Sequence, residues 1–538
     1  MERLEIGFKF DLSKWIRLFN YIVAIIPLLM ACFLALVYIS GGGGAMIEGH
    51  TPGFYFLKDI THLKTSIGGL ALWITLITLI VAGILKTQKY IGSHKLRKLY
   101  ASILIFVIGF GIRFLLLHLY SEDLIPFSDF RAAWERAKGN LINGRIDYYS
   151  LFPAYLNFSL YENLIINIVG EAYIWVLYLN AIYSGITASA IYLITCEITD
   201  KESAGGLAGI LYALYPANVI YVTTGTPEYI AILFNTLGVL TLIRTIKGSG
   251  PRKKCVRATI GGALLGIGGS FKTFSVVIII AFVMVLAASL LIRRRENAKV
   301  EMMLAGVVCA LVMGGYKVSS KIICEATSKH FNMEISTETA VPHFMLIGLN
   351  TEGEGQIHVG SLGGLYSGMY LSNGMDHETA KDYAYSALKE DWRANSDNIV
   401  PNFLKKMIWA WQDDSIPVLY FLEEVGISPD SPIEAFIYES ISVYGAGVVE
   451  LNYLFLMVWA TVCAFSYARS KEINFKYEYI ALIIFGYFCV ILLSESQSRY
   501  KCLIMGYVII MSSLGIERFK NTAHRIMGST LGRETYKE

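Results

Sequence analysis

The chain has 538 residues, of which 54% are hydrophobic and only 17% are charged, and its mean hydropathy is +0.50. These values exclude a disordered or collagen-like chain and an ordinary soluble enzyme, in which about 25% of the residues are charged. The formal net charge of +3 comes from clustered basic loops and does not indicate a nucleic-acid partner. The eight cysteines are scattered without a CxxC pair, so neither a zinc site nor a disulfide framework is predicted.

Apolar segments of about 20 residues recur along the chain, as membrane-spanning helices require. The first is long enough to span and lacks a convincing signal-peptide cleavage site. The seventh segment is Gly-rich and is a weak candidate for a span, because its 14 residues 258–271 reach only about 21 Å, short of a bilayer core of about 30 Å. It is either a broken helix or a steeply packed one. The spacing Gly262-xxx-Gly266 favours close helix contact. The twelve predicted spans are 15–39, 66–86, 100–119, 172–195, 204–222, 227–246, 257–271, 273–292, 299–320, 449–468, 477–494 and 500–516.

Basic loops follow the second, sixth and eighth predicted spans. The loops after the second and sixth spans contain no Asp or Glu. Positive loops face the cytoplasm, so both termini are predicted inside and the active site outside a multi-pass plasma-membrane protein. The remaining long loops are acidic. The 121–171 loop has four basic and seven acidic residues, and the 321–448 loop has seven basic and eighteen acidic residues.

Four regions follow from this topology. Residues 1–99 form two N-terminal transmembrane helices, and 100–320 form a transmembrane core that includes the first outer loop. Residues 321–448 form a large extracytoplasmic region, and 449–538 form the C-terminal helices with a cytoplasmic tail. Neither GxxxxGK[ST] nor a GxGxxG after a strand occurs, so no nucleotide site is predicted.

The first outer loop contains two predicted helices. Ser128 is a good N-cap and Gly139 a good stop, which predicts a short helix over 129–138 with Asp129 in its first turn. An acid in that position is stabilised by the helix dipole whatever its function. The second segment, 155–169, is predicted to lie on the bilayer surface, where it either anchors the loop or lines a lipid-substrate groove.

Several motifs in these segments resemble those of a known superfamily. Ser128-Asp129-Phe130 before an Ala-rich short helix resembles the first outer loop of the GT-C glycosyltransferases, which include protein O-mannosyltransferases and the aminoarabinose transferases of lipid A. The resemblance extends in order over about 100–295 and 475–515, through Leu214-Tyr215-Pro216-Ala217, Thr226-Pro227-Glu228, Phe271-Lys272 and Glu495-Ser-Gln-Ser-Arg499-Tyr500. It implies an all-α integral membrane protein, a GT-C bundle of about 11–12 transmembrane helices with short amphipathic helices in its outer loops.

The resemblance also implies a transferase that takes a sugar from a polyprenyl-phosphate donor. The acceptor is a hydroxyl of an envelope glycan, a polymer, a lipid or a protein. A lipid phosphate needs cations to hold its charge as it leaves, and the acceptor needs one general base. By carry-over from the family, Asp129 is the candidate base and Lys272 and Arg499 are candidate phosphate contacts, with Arg131 a weaker third. Direct displacement of the phosphate inverts the anomeric centre.

Each site residue has a structural alternative. Lys272 and Arg499 lie at predicted membrane edges, where basic side chains extend to water without any function, and Arg499 has Glu495 one turn earlier as a possible partner. Glu228 is a candidate substrate contact, or the start of a helix with Thr226 as N-cap and Pro227 as first residue. His343 is a candidate substrate contact, although a lone histidine of this kind is more often structural.

No cofactor is expected. Glu122 and Asp123 would have to converge with Asp129 to bind a divalent cation, as in oligosaccharyltransferase relatives, and no DxD-type spacing supports this. Other functions stay open at this point: a lipid or sugar transporter or flippase, a glycan polymerase or ligase with a lipid-diphosphate donor, and a scaffold without activity. Arg113 inside the third span and the short seventh span are the features that favour a transporter.

Overall fold

The computed structural model describes residues 14, 16, 18, 22, 25–39, 60–122, 124–140, 152–247, 250–292, 298–332, 340–351, 353, 355, 362–371, 376–424 and 431–534. Within these ranges the regular secondary structure is helical and no strand forms. The predicted all-α class is therefore confirmed.

The described residues contain twenty-one α-helices. In chain order they are α1 (Ile26–Ile39), α2 (Ile60–Gln88), α3 (His94–Leu119), α4 (Ser128–Ala137), α5 (Pro153–Val169), α6 (Ile174–Thr199), α7 (Glu202–Ala213), α8 (Pro216–Tyr221), α9 (Glu228–Ile246), α10 (Pro251–Phe271), α11 (Ser275–Ile292), α12 (Ala298–Phe331), α13 (Ala340–Leu349), α14 (Leu362–Leu371), α15 (His377–Ala394), α16 (Ile399–Trp411), α17 (Ile416–Glu424), α18 (Pro432–Ser440), α19 (Ala446–Ala468), α20 (Phe475–Leu493) and α21 (Cys502–Glu534).

Nine helices of the described ranges are long and apolar enough to cross a membrane. They confirm the membrane-protein class and correspond to nine of the twelve predicted spans. Two of the other three predicted spans differ in the structure, since α7 and α8 divide one and α10 begins with basic residues. The first predicted span lies partly outside the described residues, which include the helix α1. The nine lie at 64–88, 94–119, 174–199, 228–246, 275–292, 299–331, 432–468, 475–493 and 498–523. The range 432–468 includes α18 and α19, which a π-helical turn over Ile441–Gly445 joins.

A buried arginine stabilises the break between α7 and α8. Pro216 has no N–H and disfavours helix at the residue before it, so the helix ends at Ala213. The Arg113 guanidinium donates to the Ala213 carbonyl at 2.8 Å and to Asn218 Oδ1 at 2.8 Å. The prediction of one continuous span over 204–222 is therefore wrong, and Arg113 has a structural explanation that requires no transport pathway.

Glycines bring α10 and α12 into close contact. A Cβ on Gly262 would overlap the backbone of Val312, and a Cβ on Gly266 would overlap the Tyr316 carbonyl. Such small residues allow helix backbones to approach in a membrane. The predicted contact through this motif is confirmed, but the helix is continuous over 21 residues, about 31 Å, so the broken-helix alternative is wrong.

The helices α13, α14 and α15 share a separate small core with Phe152, formed by Phe152, Leu346, Leu349, Tyr366, Ala380, Ala384 and Leu388. Asp376 caps the start of α15, where its side chain accepts from the Thr379 N–H at 3.0 Å.

Two backbone hydrogen bonds and the Lys406 side chain join the chain around α13 to the end of α20 and to the segment after it. Glu495 N–H donates to the Phe344 carbonyl at 3.0 Å, and Ser496 N–H donates to the Gly355 carbonyl at 2.7 Å. Lys406 donates to the carbonyls of Gly348 and Leu492 at 2.7 and 2.6 Å. The chain around α13 and the Lys406 side chain therefore hold the segment that leads to Arg499.

Candidate functional site

Three chain segments meet at one end of the bundle: the start of α9, the residue after α10 and a 3₁₀ turn over Ser498–Lys501. Lys272 Nζ lies 2.9 Å from Glu228 Oε1. The Glu228 side chain is 2% exposed and that of Lys272 is 20% exposed, so the pair is largely shielded from water. The structure thus brings together two of the predicted site residues that are 44 positions apart in sequence.

Arg499 completes this cluster. The Tyr500 ring lies under both cations, with its centre 4.4 Å from Lys272 Nζ and 5.3 Å from the Arg499 guanidinium carbon. Both cations act electrostatically on the Glu228 carboxylate. The cluster of Glu228, Lys272 and Arg499 therefore carries two positive charges and one negative charge.

The Arg499 guanidinium has incomplete bonding. Its Nη1 donates to the Tyr420 hydroxyl at 3.3 Å, while its Nε is buried and has no partner in the described part of the chain. The expected pair with Glu495 does not form, because Glu495 accepts from Gln497 Nε2 at 2.7 Å and from the Tyr500 hydroxyl at 2.8 Å. Arg499 thus presents a buried donor that an oxygen of a bound anion can accept.

The start of α4, which includes Asp129, lies beside this cluster through the rings of Phe127 and Phe130. The Phe130 ring centre is 6.0 Å from the Arg499 guanidinium carbon, and the Phe127 ring packs at 5.1 Å against Tyr420. Asp129 is half-buried in the first turn of α4. The start of α4 therefore lies at the same end of the bundle as Glu228 and Lys272.

The start of α4 differs from the prediction. The helix begins at Ser128 with Phe127 as N-cap, and no side chain caps it. Ser128 has φ +50°, a left-handed conformation that costs a non-glycine residue about 1–3 kcal/mol. The prediction that Ser128 is the N-cap is therefore wrong, and the strained residue directly precedes Asp129.

The capping explanation of Glu228 is also wrong. The helix α9 begins at Glu228 rather than at Pro227, and the buried Thr226 hydroxyl has no partner in the described part of the chain. Glu228 Oε2 is likewise buried without a partner in that part. Its ion pair with Lys272 and this unsatisfied oxygen go beyond what a helix start requires.

Aromatic rings border the cluster. Tyr221 packs against Tyr229 at 5.9 Å and against Tyr420 at 6.2 Å. A small cavity of about 20 Å³, room for about one water, lies beside Arg499. Its lining includes Tyr215, Asn218, Tyr221, Asp414 and Cys502.

A buried charge network lies behind this cavity, and the sequence analysis missed it. Lys501 Nζ donates to the Ala410 carbonyl at 2.9 Å and to the Asp413 carbonyl, and it lies 3.8 Å from Asp414 Oδ1. Tyr215 donates to Asp414 Oδ2, and the Asp414 N–H donates to Glu450 Oε1 at 2.7 Å.

Burial raises the pKa of Asp414 to about 6, and the charge of Lys501 acts in the opposite direction. The sequence signal was three charged residues in apolar surroundings: Asp413 and Asp414 shortly after Trp411, and Lys501 just after Arg499. Sequence separation hid their contact.

The remaining predicted residues lie apart from the cluster or on its edge. His343 is buried between the rings of Phe152 and Phe344, at 5.1 and 5.7 Å, so packing alone explains its burial. Arg131 is exposed on α4. The predicted surface helix is observed as α5, but it also packs into the bundle, where Asn157 donates to the Ser270 carbonyl at 2.7 Å.

For the metal alternative, Glu122 is exposed and Asp123 lies outside the described residues. Among the residues that are described, no three His, Cys, Asp or Glu side chains are grouped so that they could hold a metal ion.

The family model of the dolichyl-phosphate-mannose-protein mannosyltransferases matches residues 158–314, less than a third of the chain, and this stretch contains Glu228 and Lys272. No curated protein matches the chain.

Among solved structures, the chain is similar to the archaeal oligosaccharyltransferase AglB from Archaeoglobus fulgidus, in complex with an inhibitory peptide and a dolichol-phosphate. The identity is 11% and the TM-score is 0.38, over 81% of this chain and 52% of that one, so this chain spans about half of its length. The family match over 158–314 confirms the resemblance to the GT-C membrane glycosyltransferases that the sequence motifs indicated, and it supports a membrane glycosyltransferase.

Proposed function

We propose that this protein transfers a sugar from a polyprenyl-phosphate donor to an acceptor hydroxyl at the extracytoplasmic face of the plasma membrane. The acceptor belongs to an envelope glycan, a polymer, a lipid or a protein. The match to the mannosyltransferase family supports the donor class. The acidic outer loops and the basic loops at the other end support the sidedness.

The observation that carries the proposal is the bonding of Arg499. Its Nε is a buried donor without a partner in the described part of the chain, and its Nη1 donates to a neutral hydroxyl. With Lys272 partly neutralised by Glu228, the cluster has a net charge of one positive unit. A sugar phosphodiester carries one negative charge, so it complements the cluster in charge and in hydrogen bonding.

The proposed chemistry follows from these positions. Asp129 accepts the proton of the acceptor hydroxyl, whose oxygen forms a bond to the anomeric carbon. The bond from that carbon to the phosphate oxygen breaks, and the electron pair leaves with the polyprenyl phosphate. Arg499 and Lys272 stabilise the charge that grows on the phosphate oxygens, and no acid is needed to protonate this leaving group. One displacement from the opposite face inverts the anomeric centre.

The roles of the residues can be separated with purified protein and a panel of labelled polyprenyl-phosphate sugars. Asp129→Asn is expected to bind donor as wild type does and to lower turnover by a factor of about 100 or more, because it removes the base. Arg499→Gln is expected to weaken donor binding by about tenfold or more, because it removes a charge-assisted hydrogen bond.

Glu135→Gln on the same helix is the matched control, since Glu135 bonds locally to Asn140 and Lys138. It is expected to retain binding and turnover. An Asp129→Asn protein that turns over as fast as this control would refute the assignment of the base.

A further inference from the structure

A second cavity, of about 420 Å³, lies at the opposite end of the bundle. The helix α9 connects the two places, since Glu228 begins it and Ile246 at its end lines this cavity. Its 19 residues rise about 28 Å, close to the thickness of a bilayer hydrocarbon core. The cavity therefore lies at the depth of the lipid headgroups of the other leaflet.

One of the three basic side chains that line the cavity is neutralised by neighbouring acids. Lys247 Nζ lies 2.8 Å from Asp200 Oδ1 and 3.1 Å from Glu197 Oε2. Its hydrogen bond to Asp200 raises the pKa of Lys247 above its ordinary value. Lys247 is therefore part of the wall and not the group that needs a ligand.

The other two basic side chains have neutral partners. Lys476 donates to the backbone carbonyl of Glu197, and Arg518 donates to the Ser466 hydroxyl at 2.8 Å. In the part of the chain that the structure describes, neither has a carboxylate within 4.0 Å, although Glu472 also lines the cavity. Two positive charges thus face the cavity without a direct ion-pair partner, although Asp200 and Glu197 act electrostatically on Lys476 from a longer distance.

The surroundings of Arg518 are aromatic. Its guanidinium carbon lies 3.5 Å from the centre of the Tyr467 ring, and this ring stacks on Tyr477 with the centres 3.7 Å apart. Both rings are buried, so they hold the guanidinium at the cavity by packing and by a cation–π contact. Apolar side chains also line the cavity, including Ile198, Ile246, Ile473 and Phe475.

We propose that this cavity binds the headgroup of an anionic phospholipid, with Lys476 and Arg518 as the phosphate contacts. One of the two cations can bind the lipid phosphate, and the other can bind a second negative or polar part of the headgroup. Basic pockets between membrane helices bind anionic headgroups in this way. The depth of the cavity at the headgroup level favours a lipid over a free phosphate ion, and the apolar side chains in its otherwise polar lining can contact glycerol and acyl carbons. This inference does not depend on the proposed transferase activity.

The test uses purified full-length protein and short-chain phosphatidylglycerol, with phosphatidylcholine and inorganic phosphate as comparison ligands. Wild type is expected to bind phosphatidylglycerol at least tenfold more tightly than phosphatidylcholine. The double variant Lys476→Gln/Arg518→Gln is expected to lose about tenfold or more in phosphatidylglycerol affinity. A rise in the unfolding temperature on adding this lipid is expected for wild type and not for the variant.

The control is Arg469→Gln/Lys471→Gln, which removes the same charge from two exposed residues that do not line the cavity. It is expected to bind as wild type does. An equal loss in both double variants would overturn the site, since only the general surface charge would then act. Equal wild-type binding of both lipids would overturn it without any variant. Displacement of the lipid by inorganic phosphate at the same concentration would overturn the lipid assignment.

Discussion

Replacing Lys501 by methionine tests the buried charge network behind the candidate site. The Lys501 side chain is 0% exposed and holds two backbone carbonyls and the Asp414 carboxylate. Among the described residues it is the only cation within ion-pair distance of Asp413, Asp414 or Glu450. Methionine has a similar length, so the main change is the loss of the charge and of its hydrogen bonds.

The expected loss of stability is large. Removing one partner of a buried ion pair costs about 3–5 kcal/mol, because the other charge stays buried without compensation. Protonation of the acids reduces this cost. The pKa of Asp414 is about 6 with Lys501 present, and removing that cation raises this pKa further. The loss is therefore expected to be smaller at pH 5 than at pH 8.

Equilibrium unfolding in mixed micelles with increasing SDS measures this loss for purified protein at both pH values. Lys471→Met, which changes an exposed lysine, is the control and is expected to have little effect. A loss below about 1 kcal/mol at pH 8, or the same loss at pH 5 and pH 8, would refute the reasoning that Lys501 compensates buried carboxylates.

Three further predictions concern the fold. Arg113→Met leaves the Ala213 carbonyl without its donor and is expected to cost about 1–3 kcal/mol in the same unfolding assay. Gly262→Val places a Cβ against the backbone of α12 and is expected to cost at least about 1–3 kcal/mol, whereas Gly314→Val, with open space around its Cβ, costs less. Asp414 holds its proton more tightly in the folded than in the unfolded protein, so its contribution to stability is complete below pH 4 and is lost as the pH rises to about 6. Asp414→Asn is expected to reduce the change of the unfolding temperature with pH between pH 4 and about 6. An unchanged pH profile of the unfolding temperature would contradict this.

The sequence predicted those parts of the fold that depend on local patterns. Apolar length and basic loops gave the spanning helices, and Gly262-xxx-Gly266 gave the contact of α10 with α12, because both signals are written in neighbouring residues. The break at Pro216 was missed because its stability depends on Arg113, about 100 residues earlier. A basic start also hid the full length of α10 from an analysis of apolar runs.

The candidate site shows the same division. Motif resemblance singled out Glu228, Lys272 and Arg499, which the structure places in one cluster. Their roles in catalysis stay predictions. Sequence alone did not show that Arg499 contacts the rings of Phe130 and Tyr500 and forms no ion pair with Glu495. A side chain one helical turn away competes with side chains from distant helices, and the sequence does not show which contact forms.

The central claim is that this protein moves a sugar from a polyprenyl phosphate with Asp129 as the base. The most direct measurement deletes the gene and restores it as wild type, Asp129→Asn or the control Glu135→Gln at equal membrane abundance. Envelope sugars and polyprenyl-phosphate sugars are then analysed together. The account predicts that the deletion and Asp129→Asn both lose one sugar from an envelope acceptor while its lipid-linked donor accumulates, and that Glu135→Gln restores both. An Asp129→Asn protein that restores the envelope as wild type does would contradict the account.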